Sequence, residues 1–147
     1  MKLVVKVRIA FPPETVYNYF NKDLFLALAP PLSGIKLVRF EGSRPGHYVE
    51  LKMGLPFFKM TWISKITDEH ISKDLIWFTD KGIKLPFFLK SWHHKHIIKA
   101  NINGSEIIED ITYSTGSKLT DYLVYPLLYG QFAWRKIAYP AYFRKVL

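Results

Sequence analysis

His94 and His96, followed by Glu109 and Tyr113, are the residues whose types and spacing could do chemistry. Alternate side chains of a strand point the same way, so His94-x-His96 presents two imidazoles to one face. Two imidazoles beside a carboxylate support four arrangements. The groups can satisfy one another inside a sheet and fix the wall on which they stand. They can orient a carboxylate, hydroxyl or carbonyl of a guest in an otherwise apolar pocket. Two histidines and a carboxylate can form a facial triad for a metal. His96, activated by Glu109, can take part in acid–base catalysis. The sequence has no Gly-x-Ser-x-Gly nucleophile element and no glycine-rich phosphate loop.

These side chains share a face only if the chain around them is a hairpin. Asn103-Gly104 supplies the signal, because both central residues of a type I′ turn need positive φ. That turn predicts strands over Phe88 to Ile102 and Glu106 to Tyr113. Its register sets Ile102 opposite Ser105, Ile98 opposite Glu109, His96 opposite Ile111 and His94 opposite Tyr113. One face then carries Trp92, His94, His96, Ile98, Glu109, Ile111 and Tyr113. The other carries His93, Lys95, Lys99, Asp110, Thr112 and Ser114, with Ile97 and Ile108, and reads as solvated. The first is apolar and aromatic yet holds titratable groups, which are costly to bury unless paired or useful.

The remaining elements must build a wall around that face. Leu3, Val5, Val7, Ile9 and Phe11 alternate with Lys2, Lys6 and Arg8, which predicts a half-buried strand. Pro12-Pro13 ends it. Pro13-Glu14 opens a short helix, and Leu24 to Leu28 predicts a second, stopped at Pro30-Pro31. Strands are expected at Ile35 to Phe40, Tyr48 to Leu55, Lys59 to Thr67 and Ile71 to Thr79. A turn is expected at Asp68-Glu69 and a loop from Asp80 to Pro86. From Asp121 onward, Leu123, Leu127, Gly130, Trp134, Ile137 and Ala141 recur at helical spacing, with Thr120 or Asp121 as N-cap. Pro126 is expected near a helix start, and Pro140 should kink or break the last turns. A curved antiparallel sheet needs a cover, and this helix is the element long enough.

Composition bounds the reading. A chain of 147 residues, 49% hydrophobic, suits one folded domain over residues 1–147. Aromatic content of 16% fits a large core or an aromatic-walled cavity. Without cysteine, disulfides and Cys-based zinc sites are excluded. Lys6 and Arg8 interrupt any signal-peptide core, and no run reaches the ~18 apolar residues of a membrane span; a cytoplasmic location is expected. The net charge of +9 is scattered, which predicts a solvating surface and no stable nucleic-acid partner. The apolar loops Leu55-Pro56-Phe57-Phe58 and Leu85-Pro86-Phe87-Phe88-Leu89 are candidate flaps, and transient contact with an anionic membrane is compatible with the charge.

The element order resembles the helix-grip fold of the START-like, SRPBCC superfamily, which includes the major birch pollen allergen and polyketide cyclases. Local motifs carry the resemblance: Pro13-Glu14-Thr15-Val16-Tyr17 after the first strand, Ala29-Pro30-Pro31, Arg44-Pro45-Gly46, Trp62-Ile63-Ser64-Lys65-Ile66-Thr67-Asp68, Trp92-His93-His94-Lys95-His96 and Glu109-Asp110-Ile111-Thr112-Tyr113. The sequence departs from the pattern at Glu109, where Asp is usual, and at Leu89, where Phe or Tyr is expected. An aromatic-x-x-Arg element of the final helix aligns with either Phe132 to Arg135 or Tyr142 to Arg144. The resemblance implies an α+β helix-grip fold: a curved seven-stranded antiparallel sheet wrapped around a long C-terminal helix, with two short helices after strand 1. It implies a hydrophobic or amphipathic small molecule held between sheet and helix, with no cofactor and no metal. Expected ligand-binding residues are Trp62, Trp77, Trp92, His94, His96, Glu109, Tyr113 and Trp134. The alternatives are a cyclase- or dehydrase-type enzyme using His94, His96 and Glu109, and a basic surface binder of anionic lipid or nucleic acid.

Overall fold

The computed structural model describes residues 1–31, 33–55 and 58–147. The first strand, β1 (Lys2–Ile9), buries Leu3, Val5, Val7 and Ile9 in strict alternation. Two one-turn helices follow, α1 (Pro13–Asn18) and α2 (Lys22–Ala27). Pro13 starts the first with its φ preset. Asn21 caps the second, its side chain accepting from the backbone N–H groups of Asp23 and Leu24. A meander then runs through β2 (Lys36–Phe40), β3 (Tyr48–Leu55), β4 (Phe58–Ile71), β5 (Leu75–Lys84), β6 (Ser91–Asn101) and β7 (Gly104–Ser114). The sheet order is β1-β7-β6-β5-β4-β3-β2, antiparallel throughout. Register shifts in β4 at Ile63/Ser64 and Ile66/Asp68 mark bulges, the device by which a sheet bends.

β5 starts at Leu75 and not Ile71, β6 starts at Ser91 and not Phe88, and two further strand ends differ from the sequence expectation. β4 continues through Asp68-Glu69 to Ile71, and the turn falls after it, where Ser72 Oγ donates to Leu75 O. β5 continues to Lys84, so Asp80 stands in a strand and not in a loop. Polar residues favour turns there, but pairing of Asp80 with His94 and of Asp68 with Thr79 overrides that propensity.

The β6–β7 register is corrected by two residues. Asn101 pairs with Gly104, His96 with Glu109, His94 with Ile111 and Trp92 with Tyr113. The turn residues are therefore Ile102 and Asn103, one step before the expected pair. Gly104 is the first residue of β7 and takes φ +138°. A Cβ there would meet Ile9 O at 2.3 Å, so glycine is required by the approach of β1. A slip of one residue exchanges the faces of a strand, whereas this difference preserves them. The face expected to be buried is buried: Trp92, His94, Ile98, Glu109, Ile111 and Tyr113 are all nearly inaccessible.

The C-terminal cover is α3 (Lys118–Ala133) followed by α4 (Arg135–Val146). Ser117, not Thr120 or Asp121, is the N-cap, accepting from Thr120 N–H. Trp134 joins the two segments with helical dihedrals, and Pro126 and Pro140 both lie inside them. The interruption thus precedes Pro140, and the turns after it are kept. The buried face carries Leu128, Phe132, Ala138, Tyr139 and Phe143. Leu123 and Ile137 from the expected stripe point outward, at 70% and 62% exposure, and Leu127, also exposed, stands at the cavity edge. α4 packs on β1 and α2, and α3 on β1 and β7.

Candidate functional site

Three adjacent strands set the floor of the site. On the inner face β5 offers Phe78 and Asp80, β6 offers His94 and His96, and β7 offers Glu109 and Ile111. Pairing puts His94 directly opposite Asp80 and diagonal to Glu109. It puts His96 directly opposite Glu109 and next to Phe78, with Asp80 on the diagonal. Both imidazoles therefore stand between two carboxylates supplied by the flanking strands.

The distances follow from that square. His94 Nε2 lies 2.7 Å from Glu109 Oε2, and its Nδ1 lies 3.2 Å from Asp80 Oδ2. His96 Nε2 lies 3.2 Å from the same Asp80 oxygen. His96 Nδ1 is 2.9 Å from Glu109 Oε2 but off the angle of a hydrogen bond, and among the described residues it has no other partner. Trp92 Nε1 donates to the second Asp80 oxygen at 3.1 Å. From the cover, Arg135 and Tyr139 sit one helical turn apart and reach the same Glu109 oxygen. The Arg135 guanidinium donates to Glu109 Oε1, and Tyr139 O–H donates to it at 2.6 Å. Ring packing fixes the imidazoles. His96 stacks on Phe78 with centroids 4.4 Å apart, His94 lies 3.8 Å from His96, and Phe132 meets His94 edge-on at 5.2 Å.

Burial and charge oppose each other in this cluster, and charge wins. Burial works to raise the Glu109 carboxyl, but Arg135, His96 and His94 hold it well below the usual carboxylate range. Asp80 is lowered in the same way, its burial outweighed by hydrogen bonds and attraction from His94 and His96. Burial works to lower His96, but Glu109 and Asp80 raise it above the ordinary imidazole value. Burial pushes Tyr139 well up, with Glu109 adding to it, so its phenol stays a donor.

Above this floor lies a cavity of about 620 Å³ between the sheet, α2 and α3. Its walls are largely apolar, with Leu24, Leu51, Met60, Trp62, Phe88 and Leu128 among them. Asp80, His94, His96 and Arg135 bring the charged chemistry to its lining. Trp62 and Trp92 meet edge-to-face at 4.7 Å, and both line the cavity.

The expected site residues divide accordingly. Trp62, Trp92, His94 and His96 line the cavity, and Glu109 lies beneath the histidines. Tyr113 is buried but turned to the helix start, where its O–H donates to Asp121 O at 2.7 Å. Trp134 is outside the lining. Trp77, expected inward, is on the opposite face of the sheet, stacked with His70 and under Lys95 Nζ at 3.5 Å. Alternation dictates this once Ile76, Phe78 and Asp80 are inward. Asp80, Arg135 and Tyr139 were missed. Asp80 was masked by the expected loop; Arg135 stands in one of the two alignments of the aromatic-x-x-Arg element, Phe132 to Arg135.

Neither family models nor curated proteins match this chain. Solved structures do. Protein Ms6760 from Mycobacterium smegmatis superposes at TM-score 0.70 over 99% of this chain and 92% of its own, with 16% identity. The di-domain ARO/CYC protein StfQ of the steffimycin biosynthetic pathway gives 0.68 over 99% of this chain, 52% of its own, also at 16% identity. A point mutant of Thalictrum norcoclaurine synthase, complexed with a transition-state analogue, gives 0.68 over 96% of this chain and 92% of its own at 10% identity. The chain has the helix-grip fold of these structures. At these identities the likeness establishes the helix-grip architecture alone. No helix among the described residues is long and apolar enough to cross a membrane.

Proposed function

We propose that this helix-grip protein binds a hydrophobic or amphipathic small molecule between its sheet and α3. The observation that carries the reading is a cavity of about 620 Å³ whose walls are apolar and whose charged groups are gathered at one end. Pockets of roughly 300–1,000 Å³ with few convergent polar groups are typical of small-molecule sites. An apolar body would lie against Leu51, Met60 and Trp62, and an oxygen-bearing end would face His94, His96 and Arg135. Neighbours of the same fold support it: norcoclaurine synthase is seen with a transition-state analogue, and StfQ belongs to a biosynthetic pathway. The test is binding of an environment-sensitive fluorescent apolar probe, compared between wild type and Leu51→Trp. Saturable binding that the cavity-filling variant loses while keeping its melting temperature supports the reading. Equal binding by both proteins refutes it.

A second reading concerns the cavity mouth. Phe58 and Phe87 are 55% and 72% exposed and meet edge-to-face at 5.9 Å, beside the lining residue Phe88. Pro56 and Phe57, from the first expected flap, lie outside the described residues. Exposed Lys59, Lys84 and Lys90 flank these aromatics in the chain. Such a rim suits brief contact with an anionic bilayer, where aromatic insertion and Lys attraction act together. Co-sedimentation with phosphatidylserine vesicles, weakened by salt and by Phe87→Ser, is the expected outcome; no pelleting with vesicles of any charge overturns it.

A further inference from the structure

The cavity floor has a second property that ligand shape does not require. His94 Nδ1, His96 Nε2 and Asp80 Oδ2 converge, and the cluster Asp80, His94 and His96 offers three ligand atoms within 4.8 Å of one another. We propose that these three side chains bind a divalent first-row transition metal of the zinc type, held at the floor of the cavity. The inference rests on the cavity reading for the open side of the site only.

Three observations carry it. The first is spacing. Charge-assisted N–H···O contacts close to about 2.7–2.9 Å, as His94 does with Glu109 at 2.7 Å. Asp80 Oδ2 instead stands 3.2 Å from both imidazole nitrogens. Two ligand atoms each about 2.0–2.1 Å from a shared zinc-like ion lie about 2.9–3.4 Å apart between octahedral and tetrahedral angles. Both Asp80–imidazole separations fall within that interval, and the two imidazole nitrogens lie within 4.8 Å of each other.

The second is the outer shell. A metal-bound imidazole commonly turns its other nitrogen to a carboxylate, which fixes the ring and raises its basicity. Here the other nitrogen of His94 hydrogen-bonds Glu109 Oε2 at 2.7 Å, and the other nitrogen of His96 lies 2.9 Å from the same oxygen, off hydrogen-bond angle. Glu109 is itself held by Arg135 and Tyr139, so it cannot swing into the triad without leaving both. The two carboxylates thus have different posts: Asp80 beside the cavity and Glu109 behind the rings.

The third is access. Asp80, His94 and His96 all line the cavity, whereas Glu109 does not. A metal on this triad keeps positions free on the cavity side for water or for an oxygen donor of the guest. With Glu109 balanced by Arg135, a divalent ion on Asp80 leaves the floor positive. An anionic oxygen donor such as a carboxylate or enolate is therefore the favoured guest group.

The test needs no organic ligand, so its failure is distinct from failure of probe binding. Chelator-treated, tag-free protein is titrated with zinc sulfate by calorimetry and with cobalt chloride by visible absorption. One equivalent is expected, with cobalt bands of an N/O site. Asp80→Asn, nearly isosteric, should weaken uptake by 100-fold or more. Glu109→Gln should weaken it 10- to 100-fold, the range for an outer-shell partner. His93→Ala, an exposed control, should leave it unchanged. Should Asp80→Asn fail to fold, imidazole NMR of the wild type decides. Zinc should move the ring signals of His94 and His96 and spare His47, His70 and His93. No stoichiometric uptake, uptake unaffected by Asp80→Asn, or shifts confined to the other three histidines each overturn the proposal.

Discussion

The cavity floor and the outer face of α3 invert the usual burial pattern in opposite directions. The floor buries charge: Glu109 is wholly inaccessible and Asp80 and His94 nearly so. The outer face of α3 exposes apolar groups, with Leu119, Tyr122 and Leu123 all at least 68% accessible. Both depart from propensity, but only the floor is tightly coupled. Each floor group has at least two side-chain partners, and Glu109, His94 and His96 each draw theirs from two elements, whereas Leu119, Tyr122 and Leu123 of α3 face solvent. Energetic consequence should follow coupling, not burial of apolar area alone.

The largest effect is expected at Glu109. Glu109→Ala removes the common partner of Arg135, Tyr139, His94 and His96 and strands a buried guanidinium. Breaking one side of a buried ion pair costs about 3–5 kcal/mol. Urea denaturation should show that loss, and a loss below about 1 kcal/mol would mean that water reaches the floor. Adding Arg135→Met should restore part of it, because the stranded charge is then gone.

pH should act on the same groups with two signs. Folded-state Glu109 and Asp80 are lowered, so their contribution is present above the unfolded carboxyl values near ~4 and is lost as pH falls through the folded values. His96 is raised, so its contribution is complete below the unfolded imidazole value near ~6.5 and is lost as pH rises through the folded value. Metal-free protein should therefore be most stable between about pH 5 and 6.5. Thermal melts across pH 3–9 in chelating buffer check this. A stability maximum above about pH 8 would remove His96 from the account.

Trp92→Phe comes next. It keeps an aromatic ring near Trp62 but deletes the indole donor to Asp80 Oδ1 together with three ring atoms, so a small void adds to the lost bond. A buried acceptor deprived of one donor costs about 1–3 kcal/mol. Because Asp80 retains both histidines, the lower end is expected, read again from urea midpoints.

Legibility in the sequence tracks the same contrast. The hairpin face was legible because a period of two survives a register error of two residues, so His94, His96 and Glu109 were brought together despite the wrong turn pair. Asp80 was not legible: polar residues beside Gly82 imitate a loop, and only pairing with His94 shows the strand. On the cover the period misled, since Leu123 and Ile137 belong to the helical repeat but lie on the outer side. Arg135 and Tyr139 carry a period of their own, one turn apart, but nothing along the chain says which carboxylate lies across from them. That information is tertiary, and it is where the coarse fold was readable and the charge network was not.

The smallest effect is expected on α3, and it is the sharpest check on the contrast. Leu123→Ser leaves a solvent-facing position with no described hydrogen bond to lose, so stability should change by no more than about 0.5 kcal/mol. Leu128→Ala, in the same helix but buried at the cavity, should cost about 2–5 kcal/mol. The pair shares a helix and residue type, so propensity differences stay small beside burial. If urea denaturation finds the two substitutions equally costly, the outer stripe is covered by something in solution. The inversion on α3 would then be an interface, while the inversion on the floor would stand as the chemical one.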